Sequence, residues 1–168
     1  CDTIAAISTP PGTSAIGTVR VSGNDVWPVL KQVFKPFGRR GFPCAFSAYC
    51  GFLVDPFEGT PVDQVVVTCF IAPASYTGED LAEISAHGNP VILKKILALL
   101  FRLGVRAAEP GEFTRRAFVN GKIDLMEVEA VSHLINSKNF LGAQIALNQM
   151  TGLPCNRLSE IRNRLVEN

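Results

Sequence analysis

Apolar positions recur every second residue in several runs before residue 106 and at helical spacing after Pro110, which predicts a strand-rich part followed by a helical tail. Thr3 to Ile7 is a short β-prone run closed by Thr9-Pro10-Pro11-Gly12. Ile16 to Ser22 reads as a strand with Val19 and Val21 on one face and Thr18, Arg20 and Ser22 on the other. Asn24 is the expected N-cap of a helix reaching about Phe34, with Pro28 tolerated in its first turn. Glycines and prolines between Pro36 and Pro43 predict a loop, and Ala45 to Val54 is strand-like. The strongest strand signal is the valine-rich run from Val62 to Ile71, opened by Asp63. A further strand is expected over Leu81 to Ser85. Asn89 then caps a helix with Pro90 at its first position, and Val91 to Leu103, apolar nearly all round, reads as buried up to Gly104.

From Pro110 the signals are helical only. Pro110 to Val119 is one short helix stopped by Asn120-Gly121. Asp124 and Glu127 have the spacing of a capping box, and Leu125, Val128, Val131, Leu134 and Ile135 continue a helical stripe. Asn139 is placed to cap a last helix, broken near Gly152-Leu153-Pro154. Leu158 to Asn168 alternates apolar and charged residues and stops without a cap, as the start of a longer helical region would.

Composition narrows the classes. A chain of 168 residues is one domain, or one domain with a piece of another. With 47% hydrophobic and 18% charged residues it can build a core, and a net charge of +1 gives no global attraction for nucleic acid. No apolar run is long enough to span a bilayer, and the start lacks the basic flank and apolar stretch of a signal peptide. The five cysteines form no C-x-x-C pair; three sit among apolar residues, and buried free thiols in a reducing compartment are expected. Zinc is not expected, because neither His87 nor His133 has ligand spacing to a cysteine.

The chemistry concentrates in unusual places. Tyr76 to Pro90 sets Glu79, Asp80, Glu83 and His87 between an apolar strand and an apolar helix. There is no G-x-x-x-x-G-K-[ST] phosphate loop, no G-x-G-x-x-G and no G-x-S-x-G, so no catalytic residue is assigned and the chain alone is not expected to hydrolyse GTP. Each scattered charge also has a structural reading. Arg20 reads equally well as a solvated edge-strand residue, and Glu83 as a solvent-facing or salt-bridged one. Glu112 suits the first turn of a helix through the dipole alone. His87 reads as a structural hydrogen-bonder, and Phe113, Phe118 and Leu125 as core residues at helical spacing.

Four segments, in order, then carry a resemblance. They are Asp2-Thr-Ile with Thr9-Pro-Pro-Gly and Ile16-Gly-x-x-Arg20-x-Ser-Gly23; Tyr76-Thr-Gly-Glu-Asp80 with Glu83 and His87-Gly88; Pro110-Gly-Glu-Phe-Thr-x-Arg116 with Asn120-Gly-Lys122-x-Asp124-Leu; and Glu129-Ala130-Val with Leu134-Ile135. Together they span essentially the whole chain and resemble the N-terminal part of the MnmE/TrmE family, the tRNA-modifying GTPases that act at the wobble uridine. The resemblance implies an α/β (α+β) fold: a mixed sheet with packed helices, related to the folate-binding domain of glycine-cleavage T protein, followed by a helical tail. It implies a folate-binding and dimerisation domain over residues 1–120 and the start of a helical domain over 121–168, which in the family a GTPase domain interrupts.

It further implies a homodimer that binds 5-formyltetrahydrofolate, with GTP, Mg²⁺ and K⁺ confined to the GTPase domain. The implied partners are tRNA and a flavin-dependent protein of the MnmG/GidA type, acting together at C5 of the uridine, for example by carboxymethylaminomethyl addition. The implied setting is cytoplasmic, or mitochondrial in a eukaryote, without a membrane. The family's folate contacts, carried over position by position, fall on Arg20, Glu83 and Lys122, with Asn120 and Arg116 shaping the loop that holds Lys122. A reduced pterin offers an edge of N–H donors to a carboxylate and a glutamate tail to cations, so Glu83 is expected to take the edge and the two cations the carboxylate or one-carbon group. Glu79 and Asp80 are expected to fix their own turn through side-chain to backbone bonds. Two other readings stay open: a stand-alone one-carbon transfer enzyme of the T-protein type, and a structural dimer domain with a vestigial pocket.

Overall fold

The computed structural model describes residues 2–38 and 41–150. They fall into two compact units, the first ending at Arg116 and the second beginning at Ala117.

The first unit is built on a mixed sheet. Its strands are β1 (Ile4–Ile7), β2 (Ile16–Ser22), β3 (Phe34–Pro36), β4 (Ser47–Val54), β5 (Pro61–Phe70), β6 (Leu81–His87) and β7 (Arg106–Ala107), in the order β3-β4-β5-β6-β2-β1-β7. Only the β1–β7 pair is parallel. Both edges are short strands, which limits the unpaired backbone a sheet offers to other chains. The helices α1 (Val26–Val33) and α2 (Pro90–Arg102) supply Val29, Leu30, Val33, Leu93, Ile96, Leu99 and Leu100 to a core shared with Val19, Val21, Val67 and Ile84 of the strands. Side chains alternate across a sheet, so the intervening positions line the opposite face. There Cys50, Phe52, Gln64, Val66 and His87 are exposed, while Thr18, Arg20, Glu83 and Ser85 are half-buried.

Several sequence expectations need correction. β2 lies between β6 and β1, so Arg20 is not on an edge strand. The N-cap of α1 is Asp25 rather than Asn24, and its side chain makes no capping bond. α2 is capped by Asn89, whose side chain accepts from the Val91 N–H, but it is buried on one face only: Val91 is 74% exposed. Among the described cysteines only Cys69 is buried; Cys44 and Cys50 are exposed, Cys50 because its strand parity turns it to the uncovered face.

The second unit begins within α3 (Glu112–Val119) and continues through α4 (Leu125–Asn136) and α5 (Phe140–Met150). The expected capping box is present: the Asp124 carboxylate accepts from the Glu127 N–H, and Glu127 accepts from the Asp124 N–H. The Asn139 side chain accepts from the Gly142 N–H at the start of α5. Phe118 and Leu125, expected in a core, are exposed, as are Ile135, Phe140 and Leu141, because the described helices bury only a few small residues, Ala117, Ala130 and Ala146 among them. The expected break at residues 152–154 and the final stretch from 158 lie outside the described residues.

Candidate functional site

Arg20 and Glu83 are directly opposed across the β2–β6 ladder. That register places both side chains on the sheet face opposite α1 and α2. The Arg20 guanidinium donates from Nε and Nη2 to one oxygen, Glu83 Oε1, at 3.0 and 2.7 Å. Among the described residues Oε2 receives no hydrogen bond. The pair is partly open, with side chains 27% and 30% exposed. Two aromatic rings stand beside the guanidinium: the Tyr76 and Phe113 centroids lie 5.4 and 5.6 Å from its central carbon. The Tyr76 hydroxyl shares a hydrogen bond with Thr114 Oγ1, which ties the loop before β6 to α3. The result is a carboxylate with one uncommitted oxygen beside a cation flanked by rings, a donor set suited to a flat ligand with an N–H edge.

A second charge cluster is built differently. Glu112 is 2% exposed and opens α3. Its oxygens accept from Arg106 Nη1 and Nη2, from the Glu109 backbone N–H and from Arg116. Arg106, chiefly, with the Glu109 amide and Arg116, holds the Glu112 carboxyl down at about 2 against the opposing effect of burial. Arg116, 12% exposed, reaches three acids: Glu112, Asp2 at 2.6 Å and Glu79 at 3.0 Å. Burial opposes its charge, but Glu112, Glu79 and Asp2 raise its pKa. Glu79 also accepts from the Ser22 hydroxyl. The network therefore fastens the chain before β1, the loop before β6, the β7 strand and α3 to one another. Glu79 is thus not the backbone-turn residue expected from the sequence; Asp80 does make a side-chain to backbone bond, but to the Ala72 N–H eight positions back rather than within its own turn.

Lys122 and Asn120 belong to the second unit, at the turn between α3 and α4, and both are exposed. Gly121 has φ +67, a conformation glycine adopts without penalty. Its N–H bonds the Phe118 carbonyl while the Lys122 N–H bonds the Ala117 carbonyl, the double bond pattern of a Schellman ending. Asp124 then starts the next helix. Lys122 is therefore fixed by a helix end on one side and a capping box on the other, which accounts for the Asn-Gly-Lys-x-Asp sequence.

A family model described as the N-terminus of the GTP-binding protein TrmE matches residues 3–122. The chain belongs to this family. Curated relatives called tRNA modification GTPase MnmE agree over nearly all of it: 44% identity over 167 residues for the protein of Carboxydothermus hydrogenoformans, 41% over 166 residues for that of Moorella thermoacetica, and 46% over 164 residues for that of Aquifex aeolicus. In each case 98% of the chain is covered but only 36% of the relative, so the chain spans about a third of the length of these relatives. The matched segment takes in the Arg20–Glu83 pair and all of the second cluster except Asp2, and ends on Lys122.

Of the five residues singled out from sequence, the fold brings Arg20 and Glu83 together, seats Arg116 in the ion network, and sets Asn120 and Lys122 at the α3–α4 turn. Tyr76, Phe113, Asp2 and Arg106 were not singled out. Tyr76 stood in plain view in the Tyr-Thr-Gly-Glu-Asp segment. Asp2 stood in the Asp2-Thr-Ile segment, but its pairing with Arg106 across 104 positions leaves no local pattern.

Proposed function

We propose that this chain is the folate-binding and dimerising part of a GTPase that modifies the wobble uridine of tRNA, with 5-formyltetrahydrofolate as its ligand. The observation that carries the reading is the Arg20–Glu83 pair on the sheet face opposite α1 and α2, with an uncommitted carboxylate oxygen and aromatic neighbours. Glu83 takes the N–H edge of the pterin and Arg20 a carbonyl or carboxylate; Lys122 neutralises the glutamate tail. Asn120 shapes the turn that presents Lys122, and Arg116 holds Glu79 and α3 in place beside Tyr76 and Phe113. Residues 1–120 form the binding and dimerisation domain, and residues 121–168 open the helical domain. GTP, Mg²⁺ and K⁺ belong to a GTPase domain in the part of the relatives that this chain does not span. The full-length protein engages tRNA and a flavin-dependent partner.

The names and identities of the relatives support the enzyme class. The dimer reading is supported by large apolar side chains of the first unit left exposed, Phe37, Phe46 and Val91 among them, and an interface of this type should bury at least about 1,000 Å². Calorimetric titration of the chain with 5-formyltetrahydrofolate tests the ligand assignment: saturable binding is expected, and absence of binding heat across a range of temperatures would sink it. Sedimentation at micromolar concentration tests the dimer, which a persistent monomer would contradict.

A further inference from the structure

The sheet face opposite α1 and α2 has a second chemical centre at its other end. His87 closes β6, four positions beyond Glu83, or about 13 Å along the strand. Asp63, on β5, is almost wholly buried, and its carboxylate is committed to His87 twice: one oxygen accepts from the His87 backbone N–H at 2.8 Å, the other lies 2.7 Å from His87 Nδ1. Asp63 also accepts from the Gln64 N–H. In the tautomer with the proton on Nδ1, facing the carboxylate, Nε2 is an acceptor. The ring is not consumed in packing, since 68% of the side chain is exposed. Gly88 secures this junction: its N–H bonds the Ala15 carbonyl, its carbonyl accepts from Ser14, and a Cβ there would collide with Ser14. His87 is therefore held in orientation from both sides.

It borders a cavity of about 320 Å³, within the range of small-molecule sites. The apolar lining comes from Ala15, Ile16 and Val66; Gln64 and Ser85 add an amide and a hydroxyl. The cavity has no Lys, Arg, Asp or Glu among its lining residues, which favours a neutral ligand over an ion. No described group of three or more His, Cys, Asp and Glu residues is arranged to hold a metal. The lining offers an oriented imidazole, an amide, a hydroxyl and the Cys50 thiol around an apolar floor.

We propose that this cavity is a second ligand site, separate from the Arg20–Glu83 pair, which takes a neutral ring bearing an N–H beside a carbonyl. This is the edge that cyclic imides, lactams and pyrimidine bases display. His87 Nε2 accepts the ring N–H, the Gln64 amide meets the carbonyl, and Ile16 and Val66 pack on the ring face. The site stands apart from the folate reading and does not need it.

Hydantoin, a soluble cyclic imide, and 1,3-dimethylhydantoin, which lacks the N–H, are the probes. In ¹H–¹⁵N spectra of the full chain, hydantoin should shift the His87 ring nitrogens and the Gln64 and Ser85 amides, with a dissociation constant of about 1 mM as befits so small a ligand. The dimethyl analogue should bind at least tenfold more weakly. His87→Ala and Asp63→Asn should each weaken hydantoin about tenfold or more, whereas Glu83→Gln should leave it unchanged. Backbone dispersion in the His87→Ala spectrum checks that the sheet is intact, and His87→Gln, which keeps an acceptor, should recover part of the affinity. Equal shifts from both probes, unchanged binding to His87→Ala, or no saturable shift in the parent chain would each overturn the assignment.

Discussion

The two charge clusters of the first unit use the same residue types to opposite ends. Arg20 and Glu83 form one pair, about 30% exposed, on a single sheet rung, with an oxygen to spare. Glu112 and Arg116, both largely buried, sit at the centre of a network in which Glu79, a backbone amide and the more exposed Asp2 and Arg106 all take part. Exposed pairs contribute little to stability because water screens them and side-chain entropy opposes them. A buried charge stripped of its partner is costly, because desolvation is no longer offset. The difference teaches which arginine is available to a ligand: Arg116 is engaged by three acids, while Arg20 and Glu83 can exchange their mutual contact for a ligand with little loss to the fold.

The comparison breaks most visibly at the network. Glu112→Gln or Arg116→Met should lower unfolding free energy by about 3–5 kcal/mol, read from urea denaturation at neutral pH. The Glu112 deficit should also depend on pH in a defined sense. The folded-state pKa of Glu112 is depressed from 4.5 to about 2, so its contribution is present in full above 4.5 and is lost as pH falls toward 2. The stability gap between the parent and Glu112→Gln should therefore narrow across that window; a gap constant from pH 6 to about pH 2 would contradict the assignment. Next in size, Lys122→Ala should weaken 5-formyltetrahydrofolate by about 1.5–3 kcal/mol, and the loss should shrink toward zero with a pteroate that lacks the glutamate tail. Calorimetry on both ligands checks this, and an equal loss for both would place Lys122 elsewhere. Smallest of all, Arg20→Met should change unfolding free energy by less than about 1 kcal/mol, against which a loss as large as that of Arg116→Met would erase the distinction.

Much of the architecture was legible. Ile16 to Ser22, Leu81 onward and the Asn89-Pro90 helix start declare themselves through alternation and capping, which are local. The Asn120-Gly121 stop and the Asp124–Glu127 box are local too, and both were read correctly. β7 was missed because two residues carry no period. The position of β2 inside the sheet was missed because strand order is a property of the whole fold. The exposure of Phe118 and Leu125 could not be read from spacing, which says that a helix has an apolar stripe but not whether anything covers it. In the site, Glu83 and Arg20 stood out only through family-like segments; by themselves they read as ordinary strand charges. The role of Glu79 was misread because its partner, Arg116, lies 37 positions away, where a turn argument does not look.

The proposed division between a pair open to a ligand and a network that serves the fold is tested most directly by measuring both quantities on Glu83→Gln. Calorimetry with 5-formyltetrahydrofolate should show binding weakened by about 1.5–3 kcal/mol, roughly ten- to more than a hundredfold in dissociation constant. Urea denaturation of the same protein should give an unfolding free energy within about 1 kcal/mol of the parent. Unchanged folate affinity, or a stability loss as large as that of Glu112→Gln, would contradict the account.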